Sequence, residues 1–128
     1  MCKHILVVDD DILIRELICA ILKSKAYEVD EAADGQSALD LIQHTEYDLI
    51  ISDLHMPRMN GHQFLSLAIA KKPDTKIMII SGNCSEEMLI ELLEKGAFDF
   101  IVKPFSICEF ETKVETLLAK QYQILQNI

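Results

Sequence analysis

Apolar residues along this chain follow two alternating spacings. Short runs, His4 to Val8, Tyr27 to Ala32, Leu49 to Ser52, Lys76 to Ile80 and Asp99 to Val102, have the length and β-branched content of strands. Each is followed by apolar positions at helical spacing: Ile14, Leu17, Ile18, Ile21 and Leu22; Ala38, Leu41 and Ile42; Phe64, Leu65 and Ala68; Leu89, Leu92 and Leu93; Phe110, Val114, Leu117 and Leu118. The pattern predicts a strand and helix unit repeated five times. Ser106 followed by Glu109 has capping-box spacing at the start of the last helix, and Gly96 after Lys95 reads as the stop of the fourth.

The strands differ in a way that orders them. Ile5 to Val8, Leu49 to Ile51 and Ile77 to Ile80 are continuously apolar, as central strands covered by helices on both faces must be. Tyr-Glu-Val-Asp-Glu-Ala at 27 to 32 alternates instead, which suits an edge strand with one wetter face. Right-handed crossovers with the second strand at an edge give an α/β doubly wound parallel sheet, a (βα)5 fold of order 2-1-3-4-5 whose switch point lies between strands 1 and 3.

Four of the runs lead into a residue that phosphoryl transfer would use: Asp9-Asp10-Asp11, Asp53, Ser81 and Lys103. Parallel neighbouring strands would bring them to the carboxyl edge of the sheet, where open α/β folds build their sites. Carboxylates crowded in one crevice repel, and a bound cation relieves them. An oxygen-only ligand set with room for water favours Mg²⁺, with the Lys103 ammonium and Ser81 hydroxyl left to share the oxygens of a transferring phosphoryl group. Asp53 stands alone after its strand and is the candidate nucleophile, while Asp9 and Asp10 come as a pair fit to hold the metal. Each residue has a plainer reading: Asp9 to Asp11 as a helix cap, Lys103 as a solvated turn residue, Ser81-Gly82-Asn83 as a tight loop. Their joint arrival at strand ends favours the site. The four histidines lack ligand spacing and are expected on the surface or against the core, and Met56 and Met59 are expected to pack loops.

Composition narrows the classes. A length of 128 residues suits one domain over 1–128, with no linker or low-complexity tract. The 12 Lys and Arg against 21 Asp and Glu give a formal net charge of −9, which argues against a phosphate-backbone footprint and so against nucleic acid as a direct partner. Cys2, Cys19, Cys84 and Cys108 show no CxxC spacing, and the start lacks the apolar region of a signal peptide, which fits a reduced cytoplasmic location. No stretch approaches the roughly 20 apolar residues of a membrane span. The loop after Val8 is acidic where a phosphate cradle needs small residues, and no Gly-x-x-x-x-Gly-Lys loop exists, so neither a flavin nor a nucleotide triphosphate is expected.

Three pieces carry a resemblance: Ile-Leu-Val-Val-Asp-Asp-Asp at 5 to 11, Asp-Leu-Ile-Ile-Ser-Asp-Leu-His-Met-Pro at 48 to 57 with Asn60-Gly61, and Gly-Ala-Phe-Asp-Phe-Ile-Val-Lys-Pro-Phe at 96 to 105. With them the chain resembles, over essentially its full length, the chemotaxis-regulator-like receiver domains of bacterial two-component response regulators, which are flavodoxin-like. The resemblance implies that Asp53 accepts a phosphoryl group from a sensor kinase histidine or a phosphotransfer protein. It implies that Asp9, Asp10, Asp53 and the His55 carbonyl organise Mg²⁺, that Ser81 and Lys103 contact the phosphoryl group, and that Lys103-Pro104 is cis. It also implies a switch in which Ser81 moves toward Asp53 and Phe100, a Tyr in most relatives, turns inward. That would alter the face of helix 4, strand 5 and helix 5 toward an effector or a phosphorylation-dependent dimer. His55 and Asn83 would flank the attacking water.

Phe98 and Lys113 depart from receivers attached to winged-helix DNA-binding domains, and the wording at 96 to 100 looks more like receivers of hybrid kinases, of ATPase-linked regulators, or standing alone. Ile124, Leu125 and Ile128 continue the apolar stripe, so a last helix over 106–128 would lead into a coiled coil or present a dimer surface. Two rivals are weaker. A phosphohydrolase of the haloacid dehalogenase type needs an Asp where His55 stands, and a degenerate receiver used only for docking does not need the intact acidic set.

Overall fold

A computed structural model describes residues 2–56, 58–82 and 84–126, with side chains as far as Ala119. Pro57, Asn83 and Ile128, and the side chains of Ile124 and Leu125, lie outside the described residues. Strands β1 (His4–Val8), β2 (Glu28–Ala32), β3 (Leu49–Asp53), β4 (Ile77–Ser81) and β5 (Asp99–Val102) form one parallel sheet of order β2-β1-β3-β4-β5, as the strand patterns require. Helices α1 (Ile12–Ser24), α2 (Gly35–His44), α3 (Gly61–Lys71) and α4 (Glu86–Glu94) fill the four crossovers, and α5 (Ile107–Gln126) forms the C-terminal end.

The two-residue period of the strands divides the apolar side chains into two cores. Leu6, Val8, Ile50, Ile77 and Ile79 meet the α2, α3 and α4 residues Ile42, Phe64, Leu65, Leu89 and Leu92 on one face. Ile5, Val7, Leu49, Ile51, Met78 and Ile80 meet Ile18, Leu22, Phe110, Val114 and Leu117 of α1 and α5 on the other. Burial on both faces is why these strands read as unbroken apolar runs. β2 is wetter, as expected, but its burial does not alternate strictly: Glu28 and Glu31 are exposed, Val29 and Asp30 half-buried and Ala32 buried.

Three helical positions depart from the expected stripes. Leu17 is 48% exposed while Cys19 is buried, so the buried stripe of α1 is rotated toward Cys19 and leaves Leu17 on its flank. In α2 Leu39 is fully buried and Leu41 only packs against the core edge, and in α4 Leu93 is 39% exposed. Helix ends follow their capping residues: the Ser106 hydroxyl accepts from the Glu109 N–H at 3.0 Å, and Gly96 takes φ +118° after Lys95. A Cβ at Gly96 would also lie 2.4 Å from Ile69 Cδ1. Met56 is buried and Met59 packs against the core, both as loop packing.

Candidate functional site

The sheet register sets the site. Val8 pairs with Ser52, so Asp9 and Asp53 arrive side by side at the C-terminal ends of β1 and β3. Asp53 pairs with Ile80 and Ser81 with Val102, which brings Ser81 and Lys103 to the same edge one step further along. The backbone closes this edge: the Leu54 N–H donates to the Ile80 carbonyl at 3.0 Å and the Lys103 N–H to the Ser81 carbonyl at 2.8 Å. Lys103-Pro104 is cis.

One carboxylate oxygen from each of Asp9, Asp10 and Asp53 lies within 4.8 Å of the other two, with Asp9 and Asp53 buried and Asp10 exposed. Asp11 does not join them. Its carboxylate caps α1, accepting from the Leu13 and Ile14 N–H groups at 3.0 and 3.4 Å, so the plain reading holds for one member of the acidic run. The Lys103 ammonium stands 3.7 Å from Asp53 Oδ1.

Burial pushes the Asp53 carboxyl above the usual carboxylate range. The Lys103 charge, then the His55 and Leu54 N–H groups, pull it back, and Asp10 adds to the rise. Burial raises Asp9 too, opposed by the Asp11 N–H and reinforced by the Asp53 charge. Among the described residues, Asp9 Oδ2 and Ser81 Oγ are buried with no hydrogen-bond partner. Buried polar atoms are rarely left so, and here one is an anionic acceptor in the acidic group and the other a hydroxyl at the neighbouring strand end. An all-oxygen donor set with an unsatisfied anionic oxygen fits a hard divalent cation such as Mg²⁺.

Five of the side chains expected at the site from the sequence, Asp9, Asp10, Asp53, Ser81 and Lys103, lie at this edge, whereas Asp11 turns away to cap α1. His55 contributes its backbone N–H, and its imidazole is exposed. Phe100 is half-buried on β5 with the Lys113 Nζ 5.8 Å from its ring centre, and Lys113 also donates to the Phe100 carbonyl at 3.2 Å. Two supporting residues escaped the sequence reading. The Ser52 hydroxyl donates to the Asp53 carbonyl at 3.0 Å, and Arg15 donates to the Asp9 carbonyl at 2.7 Å. Ser52 sits inside an apolar run, and Arg15 lies off the apolar stripe of α1. The only available signal for Arg15 was its place one turn beyond Asp11.

The fold and site define a class: a doubly wound parallel α/β domain with an acidic crevice, a lysine and a hydroxyl at its switch edge. Comparison with known proteins specifies it. Residues 5–115 match the response regulator receiver domain. The transcriptional regulatory protein SrrA of Staphylococcus aureus is 36% identical over 120 residues, which is 94% of this chain and 49% of that protein. The chain thus spans about half the length of the curated relatives it matches. Among solved structures, the chemotaxis response regulator CheY4 of Vibrio cholerae superposes with TM-score 0.86 at 33% identity, covering 91% of this chain and 99% of that one. A CheY-like receiver domain protein of Methanospirillum hungatei gives TM-score 0.91 at 31% identity, covering 96% and 98%. The chain belongs to the receiver domain family of two-component response regulators, and its CheY-like fold is consistent with phosphorylation-dependent switching. Response regulators act between sensor kinases and effector domains, and receivers generally bind Mg²⁺ at such an acidic pocket. Among the described residues no helix is long and apolar enough to cross a membrane.

Proposed function

We propose that Asp53 is the phosphoryl acceptor. The observation that carries this is the grouping at one sheet edge of a buried carboxylate, a lysine 3.7 Å away, and the two unpartnered buried oxygens Asp9 Oδ2 and Ser81 Oγ. An Asp53 carboxylate oxygen attacks the phosphorus of a phosphohistidine on a sensor kinase or phosphotransfer protein. The phosphorus–nitrogen bond breaks, its electron pair returns to the imidazole, and an acyl phosphate remains on Asp53. Lys103 and Ser81 take two of the phosphoryl oxygens, one by charge and one by hydrogen bond. Asp9, Asp10, Asp53 and the His55 carbonyl hold Mg²⁺, which when bound neutralises charge on the transferring group.

Ile12, Leu13 and Leu17 are 55%, 74% and 48% exposed on the helix that starts beside the site, and this apolar surface suits the approach of the donor protein. Readout passes from Ser81 at the end of β4 to Phe100 on β5 and so to the α4, β5 and α5 face. There Ile90, Leu93, Val102 and Ile107 are exposed, which fits an effector or a second receiver.

Incubation with acetyl phosphate and Mg²⁺, followed by intact-mass measurement, tests the assignment. Wild type should gain one phosphoryl group, and Asp53→Asn, which keeps the size and removes the nucleophile, should gain none. Equal labelling of the Asn variant would move the acceptor elsewhere.

A further inference from the structure

The corner between β1 and α1 carries two of the three grouped carboxylates, and a side chain outside that set fastens it. Arg15, on the first turn of α1, donates from Nη1 to the Asp9 carbonyl at 2.7 Å and from Nε to Glu31 Oε1 on β2 at 3.0 Å. Its side chain is only 14% exposed. Its own backbone N–H donates to the Asp11 carbonyl at 2.9 Å. The side chain therefore ties the Asp9 end of the three-residue segment whose middle is Asp10, while the ordinary helical bond from its backbone holds the Asp11 end. The remaining groups of Asp9 are also engaged: its N–H donates to the Ala32 carbonyl at 3.1 Å, and its Oδ1 accepts from the Asp11 N–H at 2.9 Å. The one atom of Asp9 left over is the buried, unpartnered Oδ2.

We infer that Arg15 is a positioning residue for the cation site, fixing the Asp9–Asp11 segment so that Asp9 Oδ2 stands ready as a metal ligand. The inference rests on the reading that these carboxylates take Mg²⁺. Two effects of Arg15 have opposite signs. As a positive charge at the corner that carries Asp9 and Asp10 it repels a cation, although its ion pair with Glu31 offsets that repulsion. As a clamp it holds a ligand in place. Charge alone predicts that removing the guanidinium tightens Mg²⁺ binding, whereas positioning predicts that it loosens.

Magnesium titrations followed by NMR on wild type, Arg15→Ala and Arg15→Lys read the sign directly, with thermal denaturation in the absence of divalent ions measured alongside. Loss of an outer-shell partner of a metal ligand weakens affinity by about 10–100-fold, and Arg15→Ala should fall in that range. Arg15→Lys keeps the charge but can reach only one of the two acceptors, so its affinity should fall between the two. A purely structural role would lower the melting temperature and leave the Mg²⁺ dissociation constant unchanged. Arg15→Ala binding as tightly as wild type or tighter overturns the inference. Should Arg15→Ala not fold, Arg15→Lys binding as wild type overturns it. A wild type without Mg²⁺-dependent shifts would overturn the metal reading as well.

Discussion

Asp9 and Asp53 are carboxyls held against their preference. Burial raises both above the unfolded value of 3.8, so in the pH window just above 3.8 the folded chain binds more protons than the unfolded one. Stability from these two groups therefore falls as pH rises through their folded pKa values, and the full cost is present at neutral pH. Asp9→Asn removes a charge from the group while its amide can donate to the neighbouring carboxylates. It should raise the melting temperature at pH 7 without divalent ions, by an amount that shrinks as pH falls toward 3.8. Saturating Mg²⁺ should stabilise wild type, by about 2.7 kcal/mol at a hundredfold excess over its dissociation constant, and the Asn variant less. Melting curves across pH, with and without Mg²⁺, check both signs. The identities of these residues were legible because each ends an apolar run. Which member of Asp9-Asp10-Asp11 would turn away to cap α1 was not, since three adjacent carboxylates look alike until the helix start is placed within one residue.

Among elements, β5 carries the most information for its length. It is a four-residue edge strand, yet it is followed by Lys103 and holds Phe100, whose ring and carbonyl both meet Lys113 of α5. Phe100→Ala should leave acetyl phosphate labelling of Asp53 within about threefold of wild type, a change worth under 1 kcal/mol of barrier. It should also weaken the response of the α4, β5 and α5 face. Self-association measured by analytical ultracentrifugation, with and without a beryllofluoride adduct mimicking the acyl phosphate, separates the two. Association unchanged by beryllofluoride in wild type would show that this face does not report on Asp53. Strand order followed from one comparison, the alternation of 27 to 32 against the unbroken runs, because burial on two faces rather than one is written in the residues. The close approach of Gly61 to Leu54 was not legible. Its N–H donates to the Leu54 carbonyl at 2.7 Å, and a Cβ there would sit 2.8 Å from Leu54 Cα. The chain pattern around Asn60-Gly61 signals a turn and a helix cap but not the backbone the turn must touch.

At the scale of the whole molecule, the order β2-β1-β3-β4-β5 distributes the site unequally over the sheet. Asp9, Asp10 and Asp53 hang from β1 and β3, whose residues are buried in both cores, whereas Lys103 follows an edge strand in which only Ile101 is fully buried. The site is thus half anchor and half lever. Amides of β1 and β3 should exchange with solvent only through global unfolding, and those of β5 through smaller, cheaper openings. A phosphoryl group held by Asp53 on one side and by Lys103 and Ser81 on the other would latch the lever to the anchor. Hydrogen exchange with and without beryllofluoride should therefore slow most at β5 and hardly at all at β1. Uniform slowing across the sheet would mean that the group stabilises the fold without latching its edge. On this view the signal is carried less by a new shape than by the loss of an edge strand's freedom to open.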